Sequence, residues 1–356
     1  MKKIFKIILL GLGFYILFVT IKSVGLEHIS SSLLEHRWNL LPLLVIYPMI
    51  FAFDTLGWLY AFPRSLPKHI PFRDLYSIRI IGETLNAVIP WTASLGGEPV
   101  KAELLKAKHR IPLSVGYASI LIVHTTFWIS LNLFVIGAVC FTFKTLPLTR
   151  LLWHSVLAFL FGLGIIAILL VIGLHLGIFK KVHHWGEKFK LWGDTSHEKK
   201  IRFLELDDQI KKFYTADPKR FFLSVAFNFL GWFAGAFEVY FIGKVLGMPL
   251  GLSEAWLLEA LIQILRIVTF FIPSSIGTQE GGIVLIFMQF GFNQTLGLTF
   301  AIIRRIREMI WIAVGLVLWA MTEDRPVIAR TPPVENWWGT KQSPRRSPRP
   351  PSAGSR

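Results

Sequence analysis

Two carboxylates stand beside helix-breaking residues inside apolar sequence. Glu98 follows Pro90, Gly96 and Gly97, and Glu280 follows Pro273 and Gly277 and precedes Gly281 and Gly282. A Pro/Gly break frees backbone N–H groups, and the amino-terminal end of the half-helix beyond it carries partial positive charge suited to phosphate or carboxylate. The glycines would permit that break and a close backbone approach, or else the tight helix packing that small residues allow in membranes. A carboxylate at such a break can titrate, bind a coupling cation or pair with a base. The base would be Lys101 for Glu98, and Arg304, Arg305 or Arg307 for Glu280. Structural and functional roles are both open, since buried pairs often serve both.

Arg304, Arg305, Arg307 and Glu308 begin eight residues into an apolar run that starts at Leu296. Each charge at mid-helix costs about 2.5–3.5 kcal/mol on insertion scales, so the group implies a protein-lined or aqueous cavity. Three- and four-residue spacings put Arg304, Arg307 and Glu308 on one face and turn Arg305 away. Two guanidiniums on one face suit bidentate phosphate recognition; alternatively Glu308 neutralises Arg304 while Arg305 pairs with a neighbouring helix. His124 holds the corresponding stretch of the first half and reads as a hydrogen-bonded packing residue before it reads as a proton carrier. Asp54 and Glu238, in the matching Ala52-Phe53-Asp54 and Ala236-Phe237-Glu238, either line a cavity or brace a hairpin. Arg79 and Glu83, one turn apart, are simplest as a local ion pair. Cys140 is the only cysteine, which excludes an intrachain disulfide and a cysteine-cluster metal site. No cofactor loop or metal motif stands out, and none is expected.

The elements that must position these residues are helices in a bilayer. The chain has 356 residues, 53% of them hydrophobic, with mean hydropathy +0.54. Spans are expected at Ile4 to Val24, Asn39 to Phe62, Leu113 to Phe143, Leu151 to Gly177, Phe221 to Gly247 and Leu296 to Ala320. The first is too long for a signal-peptide core and is expected to be a retained helix. Trp38, Trp153, Trp256 and Trp319 fall near span ends, as interfacial anchors do. Two weaker apolar segments, Leu75 to Pro90 and Glu254 to Ile272, each lead into a Gly-rich stretch with a carboxylate.

The net charge of +16 suits nucleic acid poorly, because 28 of the 38 lysines and arginines fall in five alternate regions, as the positive-inside rule predicts. Placing those regions in the cytoplasm, with both termini there, leaves the two weaker segments unable to cross. Each must enter and return, the first from inside and the second from outside. The expected fold is therefore all-α: a polytopic inverted repeat with about six transmembrane helices and two re-entrant hairpins. The integral domain covers residues 1–322, with halves at about 1–143 and 150–322 and a cytoplasmic insert at 180–220. A Pro/Ser/Arg tail follows at 323–356, suited to disorder and to anionic headgroups.

Several motifs together resemble the lysylphosphatidylglycerol-synthase transmembrane, or flippase-like, family of membrane proteins, and most closely its hopanoid-biosynthesis-associated branch. They are Asp54-Thr55-Leu56-Gly57-Trp58, Ile81-Gly82-Glu83-Thr84-Leu85-Asn86, Gly96-Gly97-Glu98-Pro99-Val100-Lys101, Gly277-Thr278-Gln279-Glu280-Gly281-Gly282 and Arg304-Arg305-Ile306-Arg307-Glu308. The resemblance implies a bacterial inner-membrane protein linked to lipid translocation or modification, with Glu98, Glu280, Arg304 and Arg307 as its foremost site residues. Relatives often carry further glycine where this chain has Pro273-Ser274-Ser275, which suggests a stiffer second break. Aminoacyl-transferring members have a large soluble domain after the membrane part, so aminoacyl transfer is not expected here.

The favoured reading is movement of a lipid or lipid-linked substrate between leaflets through a central polar cavity. In it Glu98, Lys101, Glu280, Arg304, Arg307 and Glu308 contact substrate, and Asp54, His124 and Glu238 serve coupling or the cavity wall. The rivals are an intramembrane lipid-modifying transferase and a non-catalytic partner of lipid-biosynthesis enzymes.

Overall fold

Long apolar runs without internal caps form helices wherever the backbone can bond to itself, which in hydrocarbon is obligatory. The computed structural model describes residues 38–64, 70–88, 96–142 and 196–322 except 270–271, 273–274 and 276, together with scattered positions between 154 and 173. In chain order the described helices are α1 (Leu43–Tyr60), α2 (Phe72–Val88), α3 (Gly97–His109), α4 (Leu113–Thr142), α5 (Ser196–Ala216), α6 (Pro218–Val245), α7 (Leu252–Val268), α8 (Thr278–Gln289) and α9 (Gln294–Ala320). No strand occurs among the described residues. The predicted spans at Ile4 to Val24 and, for the most part, Leu151 to Gly177 lie outside them, as do Pro90, Pro273 and the tail after residue 322.

Three described helices, α1, α4 and α6, are long and apolar enough to cross a membrane. α9 is 27 residues long, about 40 Å at 1.5 Å per residue, but its central charges interrupt every apolar window. α2, α3, α7 and α8 have 17, 13, 17 and 12 residues.

α1 and α6 form the central pair, and they run antiparallel. Arg220, at the start of α6, donates from Nε to the Phe62 carbonyl (2.8 Å) and from a terminal nitrogen to that of Leu59 (2.7 Å), satisfying orphan carbonyls at the end of α1. Further along, the Ser224 hydroxyl donates to the Gly57 carbonyl (2.8 Å), and a Cβ on Gly57 would sit 2.6 Å from the Asn228 side chain. A Cβ on Gly231 would likewise sit 2.6 Å from the Asp54 carboxylate. Small residues thus let each helix receive the other's polar side chains. α4 closes on this pair, with Asn228 donating to the Thr126 hydroxyl (3.1 Å) and the Trp232 indole to that of Ser130 (3.2 Å).

α2 and α3 form an antiparallel helical hairpin. Its open end is marked by His109 Nε2, 3.2 Å from the Asp74 carboxylate, and its turn end by the Gly97 N–H donating to the Asn86 side chain at 2.7 Å. The arms approach so closely that a Cβ on Gly97 would lie 1.9 Å from the Gly82 carbonyl oxygen. α7 and α8 form the corresponding element, with Gly282 against Leu265. α9 packs on α2 and α4 packs on α7, so the long helix after each hairpin leans on the other hairpin. α5, within the basic insert, lies against α4 through the buried Ile210 and Ala118.

Trp256 departs from its expected role as a surface anchor. Its indole donates to the Phe134 carbonyl (3.0 Å) and its ring fills the space left by Gly137, joining α7 to α4.

Gly97→Ala drives a methyl into backbone that cannot move aside, and it should cost about 1–3 kcal/mol as overpacking. Gly116→Ala meets only ordinary contacts near 3.5 Å and should be neutral or stabilising by up to about 1 kcal/mol. Thermal unfolding of the two variants in detergent micelles checks the difference.

Candidate functional site

The charged residues gather in two groups at different levels of the central pair. The first is built mainly by the α2/α3 hairpin. Lys101 Nζ lies 2.7 Å from Glu83 Oε1 and 2.9 Å from Glu98 Oε1. Asn86 donates to Glu98 (3.1 Å) while its amide oxygen accepts the Gly97 N–H. Gly82, without a side chain, leaves the channel along which the Lys101 stem reaches the carboxylates. Arg79 pairs with Asp54 of α1 at 3.2 Å, and His124 Nε2 of α4 lies 3.4 Å from Glu98 Oε2. The expected Arg79–Glu83 pair is therefore corrected: tertiary partners on α1 and α3 displace the local one.

The second group is built on α9. Arg304 bonds Glu259 of α7 at 2.6 Å and lies 4.0 Å from Glu238 of α6. Arg307 pairs with Glu238 at 3.0 Å and stacks over the Tyr47 ring at 3.7 Å, a cation–π contact of the close, desolvated kind. Glu238 is wholly buried. Arg305 turns away from that face, as its spacing predicts, and meets Glu280 at 2.6 Å and Glu308 at 3.0 Å. Glu308 thus pairs with Arg305 and not with Arg304, whose guanidinium is occupied by Glu259. Arg304 and Arg307 do share an inward face, both about 5% exposed.

One N–H at each half-helix start is met from within the protein. The Gly277 N–H donates to Glu280 Oε2 at 2.7 Å, the back-reaching half of a capping arrangement, and the Gly97 N–H is taken by Asn86. An anion at either break would compete with Asn86 or Glu280 for that N–H. Of the predicted break glycines, Gly277 alone uses left-handed backbone, at φ 78°. Gly96 is right-handed, and Gly281 and Gly282 lie inside α8, where Gly282 serves packing. Ser275 adopts φ 48° in the same turn, a region where glycine is unstrained.

Tyr47, Phe51 and Trp311 lie beside the second group, with ring centroids 5.0–6.3 Å apart. Asp54 and Tyr47 are seven residues apart on α1, so the two groups sit about 10 Å apart along its axis. Sequence reasoning missed Glu259, Tyr47 and Asn86 as members. Glu259 had the signal that exposed Asp54 and Glu238, an acid within an apolar segment. Tyr47 had none, because a tyrosine near a span end is ordinary.

A bundle of long apolar helices with helical hairpins and buried ion pairs defines a multi-pass membrane protein. The chain belongs to the family described as the lysylphosphatidylglycerol synthase TM region, which matches residues 4–315 and ties it to lipid metabolism. No curated protein and no solved structure matches it.

Removing one member of a buried pair strands the other, at a cost of about 3–5 kcal/mol. Glu238→Gln should lose that much by destabilising Arg307. Glu308→Gln, whose pair with Arg305 is a fifth to a quarter exposed, should lose about 1 kcal/mol or less. Denaturation of both variants in one detergent compares them.

Proposed function

We propose that this protein carries a lipid or lipid-linked substrate between the leaflets of a bacterial inner membrane, the headgroup passing through the polar interior and the tail remaining in the bilayer. The single observation that supports this most is the placement of Arg304 and Arg307. Both are buried in the middle of a bilayer-length helix, and both are held by acids from other helices that a phosphate could replace. Buried charge of this density is costly, and transport pathways are where membrane proteins keep it.

The reciprocal packing of α9 on α2 and α4 on α7 supports an inverted repeat, with α2/α3 and α7/α8 as hairpins entering from opposite faces. In that arrangement both termini and the α5 insert face the cytoplasm, where the basic regions belong. Glu98, Lys101, Glu280, Arg304, Arg307 and Glu308 would exchange partners with the headgroup as the hairpins rearrange. A hopanoid-related substrate and association with lipid-biosynthesis enzymes follow from the family branch whose motifs the sequence resembles.

Proteoliposomes carrying trace headgroup-labelled anionic phospholipid test the proposal. Wild-type protein should bring the inner-leaflet label to an external quencher faster than empty vesicles, and Arg307→Met should lower that rate at least about tenfold, the loss of one charge-assisted bond. Equal rates for wild type and empty vesicles across anionic, neutral and polyprenyl-phosphate lipids would remove the proposal. Label recovered at a new mass would replace transport by lipid modification.

A further inference from the structure

The two charge groups differ in their balance. Around α9, four arginines (Arg266, Arg304, Arg305 and Arg307) face four acids (Glu238, Glu259, Glu280 and Glu308), Arg266 joining through its electrostatic reach to Glu308. Around the α2/α3 hairpin the count is uneven. Asp54 from α1, Glu83 from α2 and Glu98 from α3 meet only two permanent cations, Arg79 from α2 and Lys101 from α3. These five groups lie within electrostatic range of one another. The segment between the two arms, residues 89–95, contains no charged residue, and α9 meets α2 at this level through the uncharged Gly315 and Thr84. Among the described residues, one negative charge is left over.

The excess has an address. Glu98 Oε1 accepts from both Lys101 and Asn86, whereas Glu98 Oε2 is buried without a hydrogen-bond partner in a residue only 8% exposed. The one group aimed at it is His124 Nε2, 3.4 Å away and itself buried without a hydrogen bond. A neutral imidazole can turn an Nε2–H toward Oε2, but the excess negative charge of the group then stays buried and uncompensated. One proton between them turns the pair into a charge-assisted contact and brings the whole group to neutrality. A metal ion suits the place less well, because the Lys101 ammonium already occupies the space between Glu83 and Glu98.

We propose that Glu98 and His124 form a proton-binding site, in which the imidazole takes up one proton from solution and holds it against Glu98 Oε2 as the compensating charge of the first group. An N–H bond forms on the imidazole as hydronium or a buffer acid in solution gives up its proton. The side chain of His124 is 39% exposed and that of Glu98 11%, so the imidazole is the member of the pair nearer the protein surface. The inference deepens the lipid-handling reading by naming the ion taken up in the same polar interior, and it rests on that reading only for what the proton would drive.

The test reads the imidazole directly and needs no lipid substrate, so it can fail while transport stands, or succeed while transport fails. Full-length protein labelled with 15N-histidine in nanodiscs is titrated from about pH 4.5 to 9, a range that spans histidine protonation, with His124→Gln identifying the signal. His124 should take up one proton in that range. Glu98→Gln should weaken its proton affinity by at least about tenfold, one pH unit, through loss of the facing charge. Glu83→Gln, one step further away, should produce a smaller shift in the same direction and serves if Glu98→Gln does not fold. Glu280→Gln, in the balanced group, should leave the midpoint in place. A His124 signal that never titrates, a midpoint indifferent to both Glu98→Gln and Glu83→Gln, or an equal shift from Glu280→Gln would each overturn the proposal.

Discussion

A charge or a free backbone N–H inside apolar surroundings must be met by another part of the protein, and this requirement organises the molecule. At each hairpin the broken helix start and its acid meet that need together: Glu280 accepts the Gly277 N–H, and Asn86 ties Gly97 to Glu98. The remaining lone pairs of those acids draw in Lys101 and Arg305, which fixes the hairpin arms against each other and against α9. The glycines at 57, 82, 97 and 231 follow from the same demand, since polar side chains reach one another across helices only where a facing residue has no side chain in the way.

The two hairpins meet the demand differently. The α2/α3 hairpin is largely self-contained: Lys101, Glu83, Glu98 and Asn86 all belong to its own arms, and its outward charged contacts are Arg79 with Asp54 and Glu98 with His124, at 3.2 and 3.4 Å. The α7/α8 hairpin depends on α9 for its compensation, through Arg304 with Glu259 and Arg305 with Glu280, each at 2.6 Å. α9 is in turn bound to the central pair by Arg307, which joins Glu238 of α6 to the face of Tyr47 on α1.

Much of the fold was legible because hydrocarbon is a demanding solvent. Apolar runs located α1, α4, α6 and α9 to within a few residues, and the weaker runs located α2 and α7. The acids and arginines of the site stood out because they have no business in such runs unless another residue meets them. Partner choice was legible only in part: Lys101 for Glu98 and Arg305 for Glu280 could be read from the sequence. Arg79 could reach Glu83 along its own helix, and Arg304 could reach Glu308 along α9, yet Arg79, Glu83 and Arg304 take partners whose positions only the packing of α1, α3 and α7 determines, while Glu308 keeps a partner on α9 itself, Arg305. Sequence spacing reports which side of a helix a residue occupies and says nothing of what a neighbouring helix places there. The same gap hid the side chains, Asn86 and Glu280, that each take one N–H at the half-helix starts.

That difference between the hairpins bears on how a membrane body of this kind can move. Rearranging the α7/α8 hairpin alone would separate the buried Arg304 and the partly buried Arg305 from two buried carboxylates, and each separation strands a buried acid at several kcal/mol. Moving it together with α9 keeps those pairs but shifts the buried Arg307 relative to the buried Glu238 and to the face of Tyr47. Moving the α2/α3 hairpin keeps Lys101, Glu83, Glu98 and Asn86 together and breaks one ion pair, Arg79 with Asp54, plus a histidine contact whose strength depends on a proton. By ion pairs alone, displacing the first hairpin breaks fewer buried contacts than displacing the second, and one of the two it breaks, Glu98 with His124, depends on the proton proposed for that pair.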